Sequence, residues 1–331
     1  MLEHGGKLRQ AAARFGQTDW LDLSTGINPR GYAAPPLPAD IWHRLPETDP
    51  ALAAAAAAFY GAPLLLPVAG TQAAIQALPR LRAASRVTVA APSYAEHAHN
   101  WSAHGHTMRE VSYAELEQAV DASDVLVVCN PNNPTGETVP AATLLDWAAR
   151  LAHRGGWLVV DEAFADTAPE HSVAAHSGQP GLIVLRSVGK FFGLAGLRLG
   201  FVGAHSSLLS KLADLLGPWT ISAAASQIGI AALRDHAWQR STGLILAAEG
   251  ARLRKLLAAH GIDARGTDLF QWWAAAEPAP FWRHMAERGI WVRLFEERAR
   301  GIRLGLPGDE AGWQKLINAL DDWRVQTPST Y

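Results

Sequence analysis

Five lysines are the only side-chain amines in the chain: Lys7, Lys190, Lys211, Lys255 and Lys315. Lys211, Lys255 and Lys315 fall in patterns such as Leu208–Leu216 and Leu253–Leu257, which read as solvated faces of amphipathic helices. Lys7 lies in a glycine-containing amino-terminal arm. Lys190 alone follows a buried-looking apolar run, Leu182–Leu185, in the glycine-bearing segment Arg186-Ser187-Val188-Gly189-Lys190. A P-loop would need Ser or Thr where Phe191 stands, and a leading glycine that is absent. An ordinary surface-loop lysine is the plainer alternative. Asp161 closes another apolar run, Trp157–Val160, and a helix cap would explain it equally well. Ala69-Gly70-Thr71-Gln72 opens a helix after Leu64–Val68, and Asn130–Gly136 follows Val125–Cys129. Ligands of open α/β sheets bind beyond the carboxyl ends of the strands, so these four polar segments are predicted on one rim. Pyridoxal phosphate needs a lysine for a Schiff base, an acid for its ring nitrogen and an anion site for its phosphate. Asp161 beside the ring nitrogen would favour the protonated, electron-accepting ring.

The elements that must position these residues are legible as periodicities. Leu64–Val68, Val87–Ala91, Val125–Cys129, Trp157–Asp161, Leu182–Leu185 and Leu199–Val202 are short apolar runs without polar alternation, as strands buried on both faces read. Helical patterns lie between them, among them Ala73–Arg82 and Ala141–His153, which predicts a largely parallel α/β sheet with right-handed crossovers. Beyond about Gly217 helices dominate (Ala223–Leu233, Ser241–His260, Pro280–Arg288, about Glu310–Trp323), with strands near Trp291–Leu294 and Gly301–Leu304. At roughly 150 residues per domain, 331 residues suit about two domains. The expected segments are an arm and connector over 1–38, a large domain over 39–222 and a smaller carboxyl-terminal α/β domain over 223–331.

Bulk composition excludes other classes. A formal charge of −2 gives no support for polyanion or membrane-surface binding. The single cysteine, Cys129, permits no intrachain disulfide or Cys-based zinc site. The alternating pairs His97/His99 and His104/His106 read as surface or loop histidines, and no metal is expected. No apolar run reaches the ~18 residues of a membrane span, and Met1–Arg14 has no apolar signal core. A cytoplasmic protein is therefore expected. Trp272, Trp273 and Trp282 read as core.

Ser187-Val188-Gly189-Lys190, followed by Gly193-Leu194-Ala195-Gly196-Leu197-Arg198-Leu199-Gly200, resembles the lysine motif of class I/II aminotransferase-like enzymes. Asn130–Gly136 resembles their NPxNPTG loop, and Asp161-Glu162-Ala163 their DEA motif. The three occur in order, and the resemblance covers nearly the whole chain. It implies the fold-type I PLP-dependent transferase fold, an α/β fold with a mostly parallel seven-stranded sheet in its large domain, and a homodimer. It further implies that Lys190 carries pyridoxal 5'-phosphate, that Asp161 pairs with the ring nitrogen and that Asn133 bonds the phenolic oxygen and contacts the substrate. Gly70, Thr71, Gln72, Ser187 and Arg198 would hold the cofactor phosphate, Tyr94 would stack on the ring, and Arg303 would clamp the substrate carboxylate through its bidentate fork.

His4-Gly5-Gly6-Lys7-Leu8-Arg9-Gln10-Ala11-Ala12 and Leu21–Pro29 narrow the resemblance to the threonine-phosphate decarboxylases of cobalamin biosynthesis. Histidinol-phosphate-type aminotransferases are the alternative, sharing the rim motifs but not the His-Gly-Gly opening. The implied substrate is a phosphorylated amino acid, its phosphate held by His4 with the Gly5 backbone and Arg293, and by Lys7 more weakly. The sequence departs from that pattern at Gly26, where relatives tend to carry a substrate-contacting Asn. It departs again at Leu45, where relatives offer a Tyr across the dimer, and Phe164 stands where many carry Tyr.

Overall fold

The computed structural model describes residues 4–297 and 299–326. Its twelve strands, in chain order, are β1 Leu21–Leu23, β2 Leu65–Val68, β3 Arg86–Ala90, β4 Thr107–Val111, β5 Val125–Cys129, β6 Trp157–Asp161, β7 Leu182–Ser187, β8 Gly200–Gly203, β9 Arg265–Thr267, β10 Phe270–Ala274, β11 Ile290–Phe295 and β12 Gly301–Gly305. The chain forms two compact units. The central unit comprises Gly31–Asn133 and Glu137–Ser241. The terminal unit comprises the described residues up to Arg30, Pro134–Gly136 and the described residues from Thr242 onward.

The central unit holds a seven-stranded sheet in the order β2-β8-β7-β6-β5-β3-β4. β4, β3, β5, β6 and β7 run parallel, while β8 is antiparallel to both β7 and β2. The apolar runs form strands because both their faces are covered: all five residues of β5 are buried. Val127, Val159, Ile183 and Leu185 pack on one face with Ala74, Ile75, Leu78 and Trp101. The sheet edges are protected by chemistry. β2 carries Pro67 at one edge and β4 carries Arg109 and Glu110 at the other, both of which disfavour further pairing. Helix Pro50–Tyr60 starts on Asp49, whose Oδ1 accepts from the Ala51 N–H (2.8 Å), has Pro50 at its first position, and stops at Gly61 with φ 66°.

The terminal unit holds a five-stranded sheet in the order β1-β11-β12-β10-β9, parallel only between β1 and β11. Trp272 and Trp273 are buried in β10, and Trp282 is buried in helix Pro278–Glu287.

The structure divides the chain differently from the segments 1–38, 39–222 and 223–331. Residues 8–15 are helical and β1 pairs with β11, so the amino-terminal stretch belongs to the same unit as the carboxyl-terminal third. Helix Ala223–Arg234 stays in the central unit. A Cβ on Gly229 would strike Leu199 at 2.4 Å and Leu52 at 3.1 Å. The later boundary falls within helix His236–Ala259, where no linker composition marks it. Among the described residues no helix is long and apolar enough to cross a membrane.

Candidate active site

Asp161 ends β6 at the carboxyl rim of the seven-stranded sheet and is 5% exposed. Its Oδ1 accepts from the Ala163 N–H at 3.1 Å, and its Oδ2 lies 2.9 Å from His97 Nε2. No helix opens at Asp161, the next helical turn being Ala165–Thr167, so its carboxylate is braced on both oxygens without capping a helix. His97, 1% exposed, lies in helix Ala95–Ala103, stacked edge-on to Tyr94. Burial alone would disfavour its charge. The hydrogen bond to Asp161, with Cys129 alongside, outweighs that and pushes the imidazole up to about 10. His97 thus donates as a cation, and the surface reading of this histidine is corrected. His106 is corrected too: it is buried, with Nε2 3.0 Å from the Pro79 carbonyl oxygen and its ring edge-on to Trp101. His99 and His104 are not in the buried set. The ligand atoms of His97, Cys129 and Asp161 lie within 4.8 Å of one another.

A second group of predicted residues converges beside β7 and β8. Gly70 has φ 74° and ψ 157°, open only to glycine, and precedes helix Thr71–Ala77. A Cβ there would sit 2.6 Å from Arg198 Nη2, so the absence of a side chain is what admits the guanidinium. Arg198 itself sits at φ 55° and donates from Nη1 to the Ala195 carbonyl at 3.1 Å. Ser187 is the β-ladder partner of Gly200, and a Cβ on Gly200 would meet the Thr71 nitrogen at 2.9 Å. Ser187 Oγ accepts from the Gly189 N–H at 3.2 Å. Gln72 contributes differently from its neighbours: its amide donates to Glu96 at 2.7 Å and accepts from Tyr94 Oη at 3.3 Å. That leaves its backbone N–H, in the unsatisfied first turn of the helix, for an anion. Burial, then the nearby Glu96 and Asp161 charges, raise the Tyr94 hydroxyl.

Lys190 is half-buried, with Nζ 5.4 Å from the centroid of the buried Phe164 ring. The Asn-Pro loop is fixed by its own amides. Asn130 donates to the Val139 and His171 carbonyls and accepts from the Val139 N–H, and Asn132 donates to the Pro92 carbonyl. Asn133 sits half-buried at the end of that braced segment. The donor set fits pyridoxal phosphate: an amine, a braced carboxylate, an amide, an aromatic ring, and a glycine cradle holding a guanidinium. All of it lies in the central unit.

The remaining predicted residues lie in the terminal unit. Arg293 and Arg303 are direct partners across β11 and β12, so their side chains share one sheet face. Arg303 is 6% exposed and donates from Nη2 to the Ser24 carbonyl at 2.8 Å. Burial, then the like charge of Arg293, push it down to about 9 against the pull of Asp22, a cation that an incoming carboxylate would relieve. The amino-terminal arm is anchored beside it. Gly6 donates to Ser24 Oγ at 2.7 Å, and a Cβ on Gly5 would meet the Ser24 carbonyl oxygen at 2.5 Å. His4, Gly5, Lys7, Ser24 and Arg293 line one cavity of about 280 Å³. Gly26 is buried two residues further on, and a Cβ on Gly305 would strike the Thr25 carbonyl oxygen at 2.2 Å. Leu45, in the central unit, is 66% exposed.

The profile of the family Aminotransferase class I and II matches residues 20–320. The chain belongs to that family. Within it, a threonine-phosphate decarboxylase of Pseudomonas aeruginosa is 53% identical over 323 residues, covering 97% of both chains. Another from Sinorhizobium sp is 43% identical over 334 residues, 96% of this chain and 97% of its own. A histidinol-phosphate aminotransferase of Streptomyces avermitilis is 33% identical over 189 residues, 55% and 51% of the two chains. The solved histidinol-phosphate aminotransferase of Sinorhizobium meliloti, in complex with pyridoxal-5'-phosphate, gives a TM-score of 0.81 at 20% identity over 98% and 96% of the chains. The fold of this aminotransferase-family member is thus the expected fold-type I architecture.

Sequence reasoning missed His97. Its contact with Asp161 joins residues 64 apart, and nothing local in Glu96-His97-Ala98-His99 distinguishes one histidine from the other. A helical reading of Ala95–Ala103 would have found the signal, because it separates His97 from His99 by nearly 200° around the axis.

Proposed function

We propose that this chain is a pyridoxal-phosphate-dependent carboxy-lyase acting, as a cytoplasmic homodimer, on L-threonine O-3-phosphate. The product is (R)-1-amino-2-propanol O-2-phosphate, for cobalamin biosynthesis. The observation that carries this reading is the Arg293–Arg303 pair. Both cations project from one sheet face at a fixed register, and an amino acid bearing both a carboxylate and a phosphate would offer each of them an anion. The similarity to threonine-phosphate decarboxylases over nearly the full chain supports the same substrate.

Pyridoxal phosphate, when bound, supplies the π system that takes up the electron pair left at Cα as carbon dioxide departs. Asp161, braced by His97 and the Ala163 N–H, would hold the proton at the ring nitrogen. Gly70, Thr71, Gln72, Ser187 and Arg198 would anchor the cofactor phosphate, Tyr94 would pack on the ring, and Asn133 would donate to the phenolic oxygen. Arg303 would fork the substrate carboxylate, and His4, Gly5 and Arg293 would hold the substrate phosphate. Two held anionic ends would leave little rotation about Cα and so would select the bond to Cα that breaks. Orientation of this kind is worth several kcal/mol. Lys190 Nζ would return a proton to Cα in place of the lost carboxylate.

Product analysis with threonine phosphate tests the reading. Carbon dioxide and aminopropanol phosphate should form without any 2-oxo acid. A keto product formed only with a 2-oxo acid would transfer the assignment to the aminotransferase reading. The homodimer is supported by exposed apolar residues of the central unit, with Trp42 at 68%, Leu45 at 66% and Trp219 at 60% exposure. Sedimentation at twice the 35.5 kDa chain mass would accord with it.

A further inference from the structure

Behind the cofactor rim lies a buried ionic cluster that the reaction does not use. Arg186 and Glu162 are 4% and 0% exposed, with Arg186 Nη1 2.5 Å from Glu162 Oε2. Arg186 Nη2 pairs with Asp166, and the guanidinium lies 4.3 Å from the centroid of the Tyr60 ring. Glu162 Oε2 also accepts from Ser172 Oγ at 2.6 Å, and Oε1 accepts from the Val173 N–H at 2.7 Å. Strand register places this cluster. Asp161 is the partner of Leu185, so Asp161, Leu185 and Ser187 point to one face of the sheet. Glu162 continues the ladder, its N–H donating to the Leu185 carbonyl at 2.9 Å, so Glu162 and Arg186 point to the other face. Each cofactor-side residue, Asp161 and Ser187, is therefore one peptide from a member of the cluster.

Stability alone explains the cluster poorly. Buried ion pairs are commonly neutral or worse than apolar residues of the same volume. Here two carboxylates share one guanidinium, and burial, against the pull of Arg186, pushes Asp166 up to about 6. What the arrangement supplies is direction. A planar fork bonded to two carboxylates and stacked on a ring has one orientation. It ties the ends of β6 and β7 to the segment 166–173.

We propose that Arg186, with Glu162, Asp166 and Tyr60, is a positioning clamp that sets where Asp161 and the Ser187–Lys190 loop meet pyridoxal phosphate. The proposal rests on the cofactor reading above. Its test separates rigidity from mere stability by neutralising the whole cluster at similar volume, in the triple variant Arg186→Met, Glu162→Leu, Asp166→Leu. Holoenzymes are compared by urea unfolding, by the dissociation constant of pyridoxal phosphate, and by the visible band of the bound cofactor with its pH midpoint. The triple variant should unfold at no lower urea concentration than the unaltered protein. Its cofactor should bind at least tenfold more weakly, and the band's pH midpoint should move by more than half a unit.

Native cofactor affinity and an unmoved midpoint in the triple variant would overturn the clamp. Should that variant not fold, Arg186→Lys decides. It keeps the charge but loses the fork, and it should weaken cofactor binding several-fold at an unchanged circular dichroism spectrum. An unchanged dissociation constant there also overturns the proposal. If the unaltered protein shows no band that Lys190→Ala abolishes, the cofactor reading itself fails. A normal band with unaffected variants sinks the clamp alone.

Discussion

The cationic state of His97 makes a signed prediction. Folded, the imidazole is pushed up to about 10; unfolded, it returns to its ordinary 6.5. Above pH 6.5 the unfolded chain has released this proton while the folded chain keeps it, so raising the pH works against folding. The contribution of the His97–Asp161 pair is fully present below about pH 6.5 and is lost as the pH rises through 10. The slope reaches about 1.4 kcal/mol per pH unit for one proton. Other groups also titrate, so the comparison is with His97→Asn, which can donate one hydrogen bond but carries no charge. Urea unfolding, followed by the fluorescence of the thirteen tryptophans, gives the stability of both proteins at pH 7, 8 and 9. The advantage of the unaltered protein should shrink by about 1.4 kcal/mol per unit, on the order of 2–3 kcal/mol across the range. A constant difference would show that folded His97 is neutral, and the charged pair with Asp161 would be refuted.

Arg198→Met removes the guanidinium seated against Gly70. One charge-assisted bond of about 1.5–3 kcal/mol should then be lost from phosphate binding, weakening pyridoxal phosphate about ten- to hundredfold by equilibrium dialysis. Gly70→Ala forces a Cβ into the 2.6 Å gap before that guanidinium at φ 74°. It should cost about 1–3 kcal/mol in unfolding experiments and weaken the cofactor in parallel. Removing the first six residues deletes the His4 and Gly5 wall of the cavity and the Gly6–Ser24 bond. The KM for threonine phosphate should rise steeply with the cofactor spectrum intact, and an unchanged KM would remove the arm from substrate recognition.

Legibility followed burial and sequence distance. Val125–Cys129 and Trp157–Asp161 match their strands residue for residue, because strands covered on both faces are continuous apolar runs. β4, Thr-Met-Arg-Glu-Val, has only Val111 buried and carries charges at the sheet edge, so it gives no run to read. β1 is three residues long and becomes a strand by pairing with Ile290–Val292, a partner some 270 residues away that no local window contains. The site divides the same way. Asp161 ends a strand, and Lys190, Gly70 and the Asn-Pro loop come soon after one, so their places on the rim were legible. His97 and the Glu162–Arg186–Asp166 cluster depend on side chains meeting from separate elements and were not.

The two units also divide the chemistry. Every residue assigned to the cofactor, Gly70, Thr71, Gln72, Tyr94, Asn133, Asp161, Ser187, Lys190 and Arg198, lies in the central unit. Of the residues assigned to the substrate, His4, Gly5, Gly26, Arg293 and Arg303 lie in the terminal unit, and Asn133, assigned to cofactor and substrate alike, lies in the central one. Decarboxylation and transamination need the same electron sink, anchored by the same kinds of group. They differ in which bond to Cα is broken, and on the reading proposed above that choice falls to the groups that hold the substrate's anionic ends. On that reading a near-neutral chain needs no basic surface, because the discriminating charge is local. Arg293 and Arg303 stand opposite each other on one sheet face at a fixed register, and the Arg293 charge adds to burial in pushing Arg303 down. On the reading proposed above, a carboxylate and a phosphate arriving together would offer each of them an anion. On that reading, selectivity for phosphorylated amino acids would follow from strand pairing in the terminal unit.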